Sequence, residues 1–299
     1  MSAASPDAPA NTPPNAPPRH DKPLEPGLYI VSTPIGNLRD LTFRAMDVLE
    51  ACDMLLAEDT RVAGKLLKAY GLSKKIERYD DYAGERARPK IMAALQAGQR
   101  VALISDAGTP LVSDPGYKLV REAAELGLPV FAIPGASAVL AGLAVAGLPT
   151  DRFLFAGFPP PKSGARRTMF EELAGVRATL VFYETGPRLA ESLADMAAVF
   201  GPGREAAVAR ELTKLYETTY RGTLESLAAD PMLDGPKGEI VVLVAPGRAE
   251  VAGAAEAEAA LADALKRLPP SEAAAEVAKA LGLNRRELYR RAIELKGTE

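Results

Sequence analysis

The chain has one histidine, one cysteine and no tryptophan in 299 residues. His20 lies in a proline-rich N-terminal stretch, outside anything that reads as folded. Its isolation excludes Ser-His-Asp and Cys-His nucleophile systems and histidine-rich metal sites. A lone Cys52 excludes an internal disulfide and any multi-cysteine zinc site, so no metal is expected. There is no uninterrupted apolar run of about 18 residues, the length a membrane span requires. The start lacks the basic segment and apolar core of a secretory signal, and the expected location is the cytoplasm. A formal charge of -3 gives no global basic field, so any contact with nucleic acid must be a local patch. Chemistry in such a chain runs on carboxylates, lysines, hydroxyls and backbone groups.

What is present suits a folded protein long enough for two compact domains, with 47% hydrophobic residues. Residues 1–26 are dominated by Pro, Ala, Ser and Asn and predict a disordered arm. From Gly27 strands and helices alternate. Leu28 to Ser32, Met54 to Ala57, Val101 to Ile104 and Pro129 to Ile133 read as strands. Leu41 to Glu50, Arg61 to Ala69, Glu85 to Gln96 and Tyr117 to Glu125 read as the helices between them. This rhythm predicts an N-terminal α/β domain over 27–134 with a largely parallel, helix-covered sheet.

A very apolar helix running to Ala146 opens a second α/β domain over 135–247. Its strands are expected near Phe153, Thr179, Ala206 and Glu239. Its helices are expected over Met169 to Leu173, Pro187 to Phe200 and Leu224 to Ala229. Residues 248–299 read as an Ala/Glu-rich linker or short helix, then a helical pair, Pro270 to Ala280 and Arg285 to Leu295, around Gly282-Leu283-Asn284.

Two loops carry the chemical signal: Thr33-Pro34-Ile35-Gly36-Asn37-Leu38-Arg39-Asp40-Leu41-Thr42, and Ser105 to Gly116, SDAGTPLVSDPG. Each follows an apolar strand. A strand emptying into a Gly/Pro/Asp/Thr-rich loop is how an open α/β sheet builds a ligand crevice at its carboxyl edge. Neither G-x-G-x-x-G after a strand nor G-x-x-x-x-G-K-[ST] occurs, so dinucleotide and P-loop folds are poorly supported.

Together with AEDTR (57–61), PGAS (134–137), GF (157–158), FYET (182–185), ELTKLYE (211–217) and GEIVVLV (238–244), these loops resemble the tetrapyrrole methylase superfamily. The similarity is greatest to its small-subunit ribosomal RNA branch and spans nearly all of residues 28–245. Where porphyrin-acting members carry a Gly-Asp-Pro turn, this chain has Gly108-Thr109-Pro110, and their glycine-rich first loop is replaced by Thr33 to Asn37.

The resemblance implies two α/β domains with S-adenosylmethionine in the cleft between them. It further implies 2′-O-ribose methylation of a cytidine in the decoding centre of 16S rRNA, and a homodimer. Cofactor-lining positions are expected at Pro34, Asp106, Gly108, Thr109, Val112, Ser113, Asp114, Ser137 and Ala138. Asp106 and Asp114 suit hydrogen bonds to a ribose or amino group, although Asp equally caps turns.

Glu211 and Lys214 are candidates to supply a base and a cation for attack by a ribose hydroxyl, whose pKa lies far above neutrality. A surface ion pair explains the same letters, and alignment alone contributes up to about 7–11 kcal/mol in the best intramolecular models, so a dedicated base is not required. Glu58, Asp59 and Arg61 either shape the cleft or, through Asp59 and Thr60, cap the helix at Arg61. Candidate RNA contacts are Arg61, Lys162, Arg166, Arg167, Arg286, Arg290 and Arg291; positions 286 and 290 share a helix face, as do 287 and 291. Two other classes stay open: methylation of a tetrapyrrole or a protein side chain on the same scaffold, and a non-catalytic RNA-binding module.

Overall fold

The computed structural model describes residues 23–247, 254–281 and 283–296. Positions 1–22 of the predicted arm and 248–253 of the predicted linker lie outside the described residues. Residues 23–26 are attached to the first domain. Leu24 packs against its core, and the Glu25 carbonyl accepts a hydrogen bond from the Tyr29 hydroxyl at 2.6 Å.

The first sheet contains β1 (Gly27–Val31), β2 (Met54–Ala57), β3 (Ile76–Arg78), β4 (Arg100–Ile104) and β5 (Val130–Ile133). Its order is β3-β2-β4-β1-β5, and every pair is parallel. The connecting helices are α1 (Phe43–Ala51), α2 (Thr60–Ala69), α3 (Asp81–Gln96) and α4 (Tyr117–Glu125). One face buries Val31, Leu55 and Ile104 with Leu49 and Leu67; the other buries Leu28, Leu56 and Leu103 with Ile91 and Leu119. Burial on both faces is why these strands are continuous Val/Ile/Leu runs. From β1 the chain crosses to β2 on one side, and from β4 it crosses to β5 on the other. The two neighbouring strands therefore send their exits apart, which opens a crevice at their carboxyl ends.

After β5 the chain leaves this sheet. Helix α5 (Ala138–Ala146) lays Val139 and Leu143 on Val181, Val241 and Leu243 of the second sheet, in a cluster that also contains Ile35 of the first domain. Gly142 permits this approach: a Cβ there would stand 3.1 Å from Val241 Cγ1.

The second domain contains β6 (Phe153–Gly157), α6 (Ser163–Leu173), β7 (Thr179–Thr185), α7 (Gly186–Phe200), β8 (Glu205–Arg210), β9 (Thr218–Thr223), α8 (Leu224–Ala228) and β10 (Glu239–Val244). The order is β6-β7-β10-β8-β9, parallel only between β6 and β7. Its far face is closed by Phe170, Leu189, Leu193 and Leu227 over Phe182, Val208 and Val242.

Helices α9 (Ala254–Leu265), α10 (Pro270–Leu281) and α11 (Arg285–Lys296) share a separate small core around Leu261, Val277 and Leu288. The appendage is thus a three-helix unit: of the linker and short helix left open for the Ala/Glu-rich stretch, the helix is present from Ala254 and packs on the helical pair. Two further differences concern length and polarity. Strands β3 and β9 carry no apolar run to announce them, and α6 begins six residues before the expected Met169, with Lys162 at its N-cap.

Candidate active site

The carboxyl ends of β1, β4 and β5 are tied together by polar contacts. Thr33 and Gly108 exchange backbone hydrogen bonds at 2.8 and 3.1 Å, and the Thr33 hydroxyl donates to the Ser105 carbonyl at 3.1 Å. Ser105 Oγ donates to the Gly108 carbonyl at 2.9 Å, and Ser32 Oγ lies 3.0 Å from Thr109 Oγ1. Gly108 takes φ +83°, while a Cβ at Gly135 would stand 2.8 Å from Ser32 Cβ. Leu111 and Ser113 hold φ +73° and +64°, in the left-handed region that side chains disfavour. Such strain persists only where the surroundings over-determine it, and it clusters at ligand clamps.

These loops form one wall of a cavity of about 410 Å³ between the two sheets. Asp106, Gly108, Thr109, Val112, Ser113, Asp114, Ser137 and Ala138 all line it. Pro34 does not: it is buried in the loop, and its neighbour Ile35 reaches the cavity instead. The opposite wall comes from Phe158, Tyr183 to Thr185, Leu212 and Gly238 to Val241. Asp106, Asp114 and Glu239 bring carboxylates to the lining, which holds no Lys or Arg among the described residues. Glu184 lines it by its backbone, its carboxyl turned with Phe182 to the far face of the sheet.

One of these acids is neutralised from behind. Glu239 accepts from Lys214 Nζ at 2.6 Å. The fully buried Glu184 accepts from Ser192 and from the Thr185 N–H at 2.8 Å, and pairs with Arg188 at 3.4 Å. Asp114 faces no such partner. Burial first, then the charges of Glu58 and Asp106, push its pKa up to about 6 against a hydrogen bond from Ser105. Burial and the Asp114 charge also raise the Tyr183 phenol. The residues present therefore suit a cationic ligand with an amphipathic body.

Glu211 and Lys214 stand behind the second wall rather than on it, and Glu239, not singled out from the sequence, carries their network to the cavity. Lys214 Nζ bonds Glu211 at 2.8 Å, and Glu211 accepts from the Glu239 N–H at 3.0 Å. The Lys214 bond holds the Glu211 carboxyl below its usual range. Partial burial alone would lower the Lys214 pKa, but its two carboxylate partners raise it. Bonded to one another, this trio of side chains braces the wall. Gly36 and Gly238 make room for it, since a Cβ would stand 2.4 Å from Lys214 Cγ at the first and 2.5 Å from the Glu211 carboxyl at the second.

The expected RNA contacts divide. Arg166 is a correction: it is 1% exposed and bonds Asp195 at 2.6 Å, because it shares the inward face of α6 with Phe170. Arg167 is half exposed and also reaches Asp195, while Lys162 is exposed at the N-terminus of α6. Asp59 caps α2 by accepting from the Arg61 N–H at 2.8 Å, and the exposed Arg61 guanidinium folds back onto it. Arg291 ties α11 to Glu258 of α9 at 2.6 Å, whereas Arg286 and Arg290 are exposed and make no ion pair among the described residues. Among those residues, no group of His, Cys, Asp and Glu is arranged to hold a metal, and no helix is long and apolar enough to cross a membrane.

Residues 27–228 match the family model of the tetrapyrrole (corrin/porphyrin) methylases, and residues 251–296 match that of the RsmI C-terminal HTH domain. A protein of Erythrobacter litoralis named ribosomal RNA small subunit methyltransferase I is 56% identical over 281 residues, covering 93% of this chain and 99% of its own. Its namesake in Mesorhizobium japonicum is 52% identical over 278 residues, covering 93% and 95%. Among solved structures, uroporphyrin-III-C-methyltransferase from Thermus thermophilus superposes with a TM-score of 0.51 at 23% identity, covering 72% of this chain and 93% of that one. The methyltransferase CobJ gives 0.54 at 17%, covering 74% and 94%; both likenesses concern the fold alone. The chain is a methyltransferase of the tetrapyrrole methylase family, in the group to which these bacterial relatives belong.

Proposed function

We propose that the protein transfers a methyl group from S-adenosylmethionine to the ribose 2′-oxygen of a cytidine in 16S rRNA of the small ribosomal subunit, and does so in the cytoplasm, where that subunit is found. The observation that carries this reading is the charge of the cavity: carboxylates and no Lys or Arg in its lining. That environment favours a sulfonium, and the relatives at 56% and 52% identity are named for methylation of small-subunit ribosomal RNA. When bound, the cofactor supplies an electrophilic methyl group on a positively charged sulfur. Asp106 and Asp114 would hold its polar groups, with Thr109, Ser137 and Ala138 against its adenosine.

The chain's own residues then act by alignment. The Ser32–Thr109 and Thr33–Gly108 contacts fix one wall, and the Glu211–Lys214–Glu239 trio fixes the other. A ribose oxygen entering between them is brought into line with the methyl group, and orientation supplies the acceleration. Arg61, Lys162, Arg167, Arg286 and Arg290 would take the RNA backbone, and we expect two chains to associate. Tritiated methyl transfer to isolated 30S subunits tests the reading. Alkali-resistant label at a cytidine of 16S rRNA is expected; label on a base, or on a porphyrin offered in competition, overturns it.

A further inference from the structure

Phe158 lines the cavity yet leaves 52% of its surface exposed. Its ring meets Tyr183 edge-on with centroids 5.4 Å apart, and Tyr183 meets Phe155 in the same way at 4.7 Å. Gly157 beneath it takes φ +71°, and a Cβ there would stand 3.8 Å from Ser113 Oγ, so the ring sits at the seam between the two walls.

The loop that follows is anchored by charges the reaction does not use. Arg188 donates to the Pro159 carbonyl and pairs with buried Glu184. Arg166 donates to the Pro161 carbonyl at 3.3 Å and bonds Asp195, which also accepts from Ser163 and Arg167. Buried ion pairs contribute little net stability, and fixing geometry is their best-attested use. Here they hold a half-exposed aromatic face at the mouth of a ligand cavity.

We propose that Phe158, backed by Tyr183 and held by the Arg166–Asp195 and Arg188–Glu184 pairs, is the platform on which the base of the target nucleotide stacks. This rests on RNA being the methyl acceptor. A nucleotide whose sugar enters this cavity leaves its own stack, and its base then needs another π surface. Stacking tolerates any base, so Phe158 positions the nucleotide rather than identifying it. The walls divide the labour, with the first-domain loops facing the cofactor and Phe158, on the second-domain side, facing the acceptor.

The absence of tryptophan elsewhere makes the test direct. Phe158→Ala should lower kcat/KM for 30S subunits about 10- to 100-fold, mainly through KM, while calorimetric affinity for S-adenosylmethionine is retained. Phe158→Trp should restore activity, and its single-tryptophan fluorescence should be quenched by oligocytidine but not by S-adenosylmethionine alone. An unchanged kcat/KM in Phe158→Ala, an equal loss of cofactor affinity, or quenching by the cofactor alone overturns the platform. If wild type transfers nothing to 30S subunits, the functional reading fails, and the quenching by oligocytidine still decides the platform separately.

Discussion

Asp114 couples stability to ligand charge. Its carboxyl is neutral in both folded and unfolded chains below its ordinary pKa of 3.8, and ionised in both above about 6. Between these values the unfolded chain releases its proton first, so the free protein loses stability as pH rises through that window. The melting-temperature gap between Asp114→Asn and wild type should therefore widen from about pH 4 to about pH 6 and stay level above. A gap independent of pH contradicts the assignment. The same variant should bind S-adenosylmethionine more weakly at pH 8 in calorimetry, because it gives up a charge that a sulfonium would meet. Gly238→Ala tests the second wall. A side chain at φ +106° would press on the Glu211 carboxyl, and we expect a loss of about 1–3 kcal/mol in urea denaturation together with slower methyl transfer.

At the scale of elements, the basic face of α11 separates into two tasks. Arg291 bridges α11 to Glu258 of α9 at the surface, so its replacement should cost the three-helix unit little stability in urea denaturation, its apolar core remaining. Arg286 and Arg290 are free of such duty. The pair Arg286→Glu with Arg290→Glu should weaken 30S binding, lower the salt slope of log K by about 2, and leave cofactor affinity intact; an unchanged slope excludes both from the RNA contact. Elements whose period matches their burial were legible in the sequence. Continuous apolar strands such as Val101 to Ile104 and Tyr117–Glu125 with its closing glycine are examples. Strands β3 and β9 were not, because Ile-Glu-Arg and Thr-Thr-Tyr-Arg-Gly-Thr borrow their order from neighbouring strands rather than from an apolar pattern of their own. Arg166 misled for a related reason: its partner Asp195 lies 29 residues away on α7, and no local rule pairs them.

Across the whole molecule, the two sheets differ in a way that strand–helix alternation alone does not reveal. The first is parallel throughout, whereas β10 lies antiparallel between β7 and β8 in the second. The cleft nonetheless falls where the two loops announced it, since strand ends at a switch point leave a crevice whichever sheet faces them. The second wall was legible only as the stretches GF, FYET, ELTKLYE and GEIVVLV, with no place in the cavity assigned to Phe158 or Glu239. Glu239 and Phe158 reach the cavity from β10 and the end of β6, and only the packing of α5 onto the second sheet brings those ends opposite the first-domain loops.

Calorimetric titration of S-adenosylmethionine into wild type and Val112→Trp tests that cleft most directly. Val112 is partly exposed at the cavity edge, so the larger ring can enter the cavity without disturbing a core. One molecule bound per wild-type chain in the micromolar range, with binding lost in Val112→Trp while the melting temperature is kept, is the predicted result. Undiminished binding to the filled variant would contradict the account.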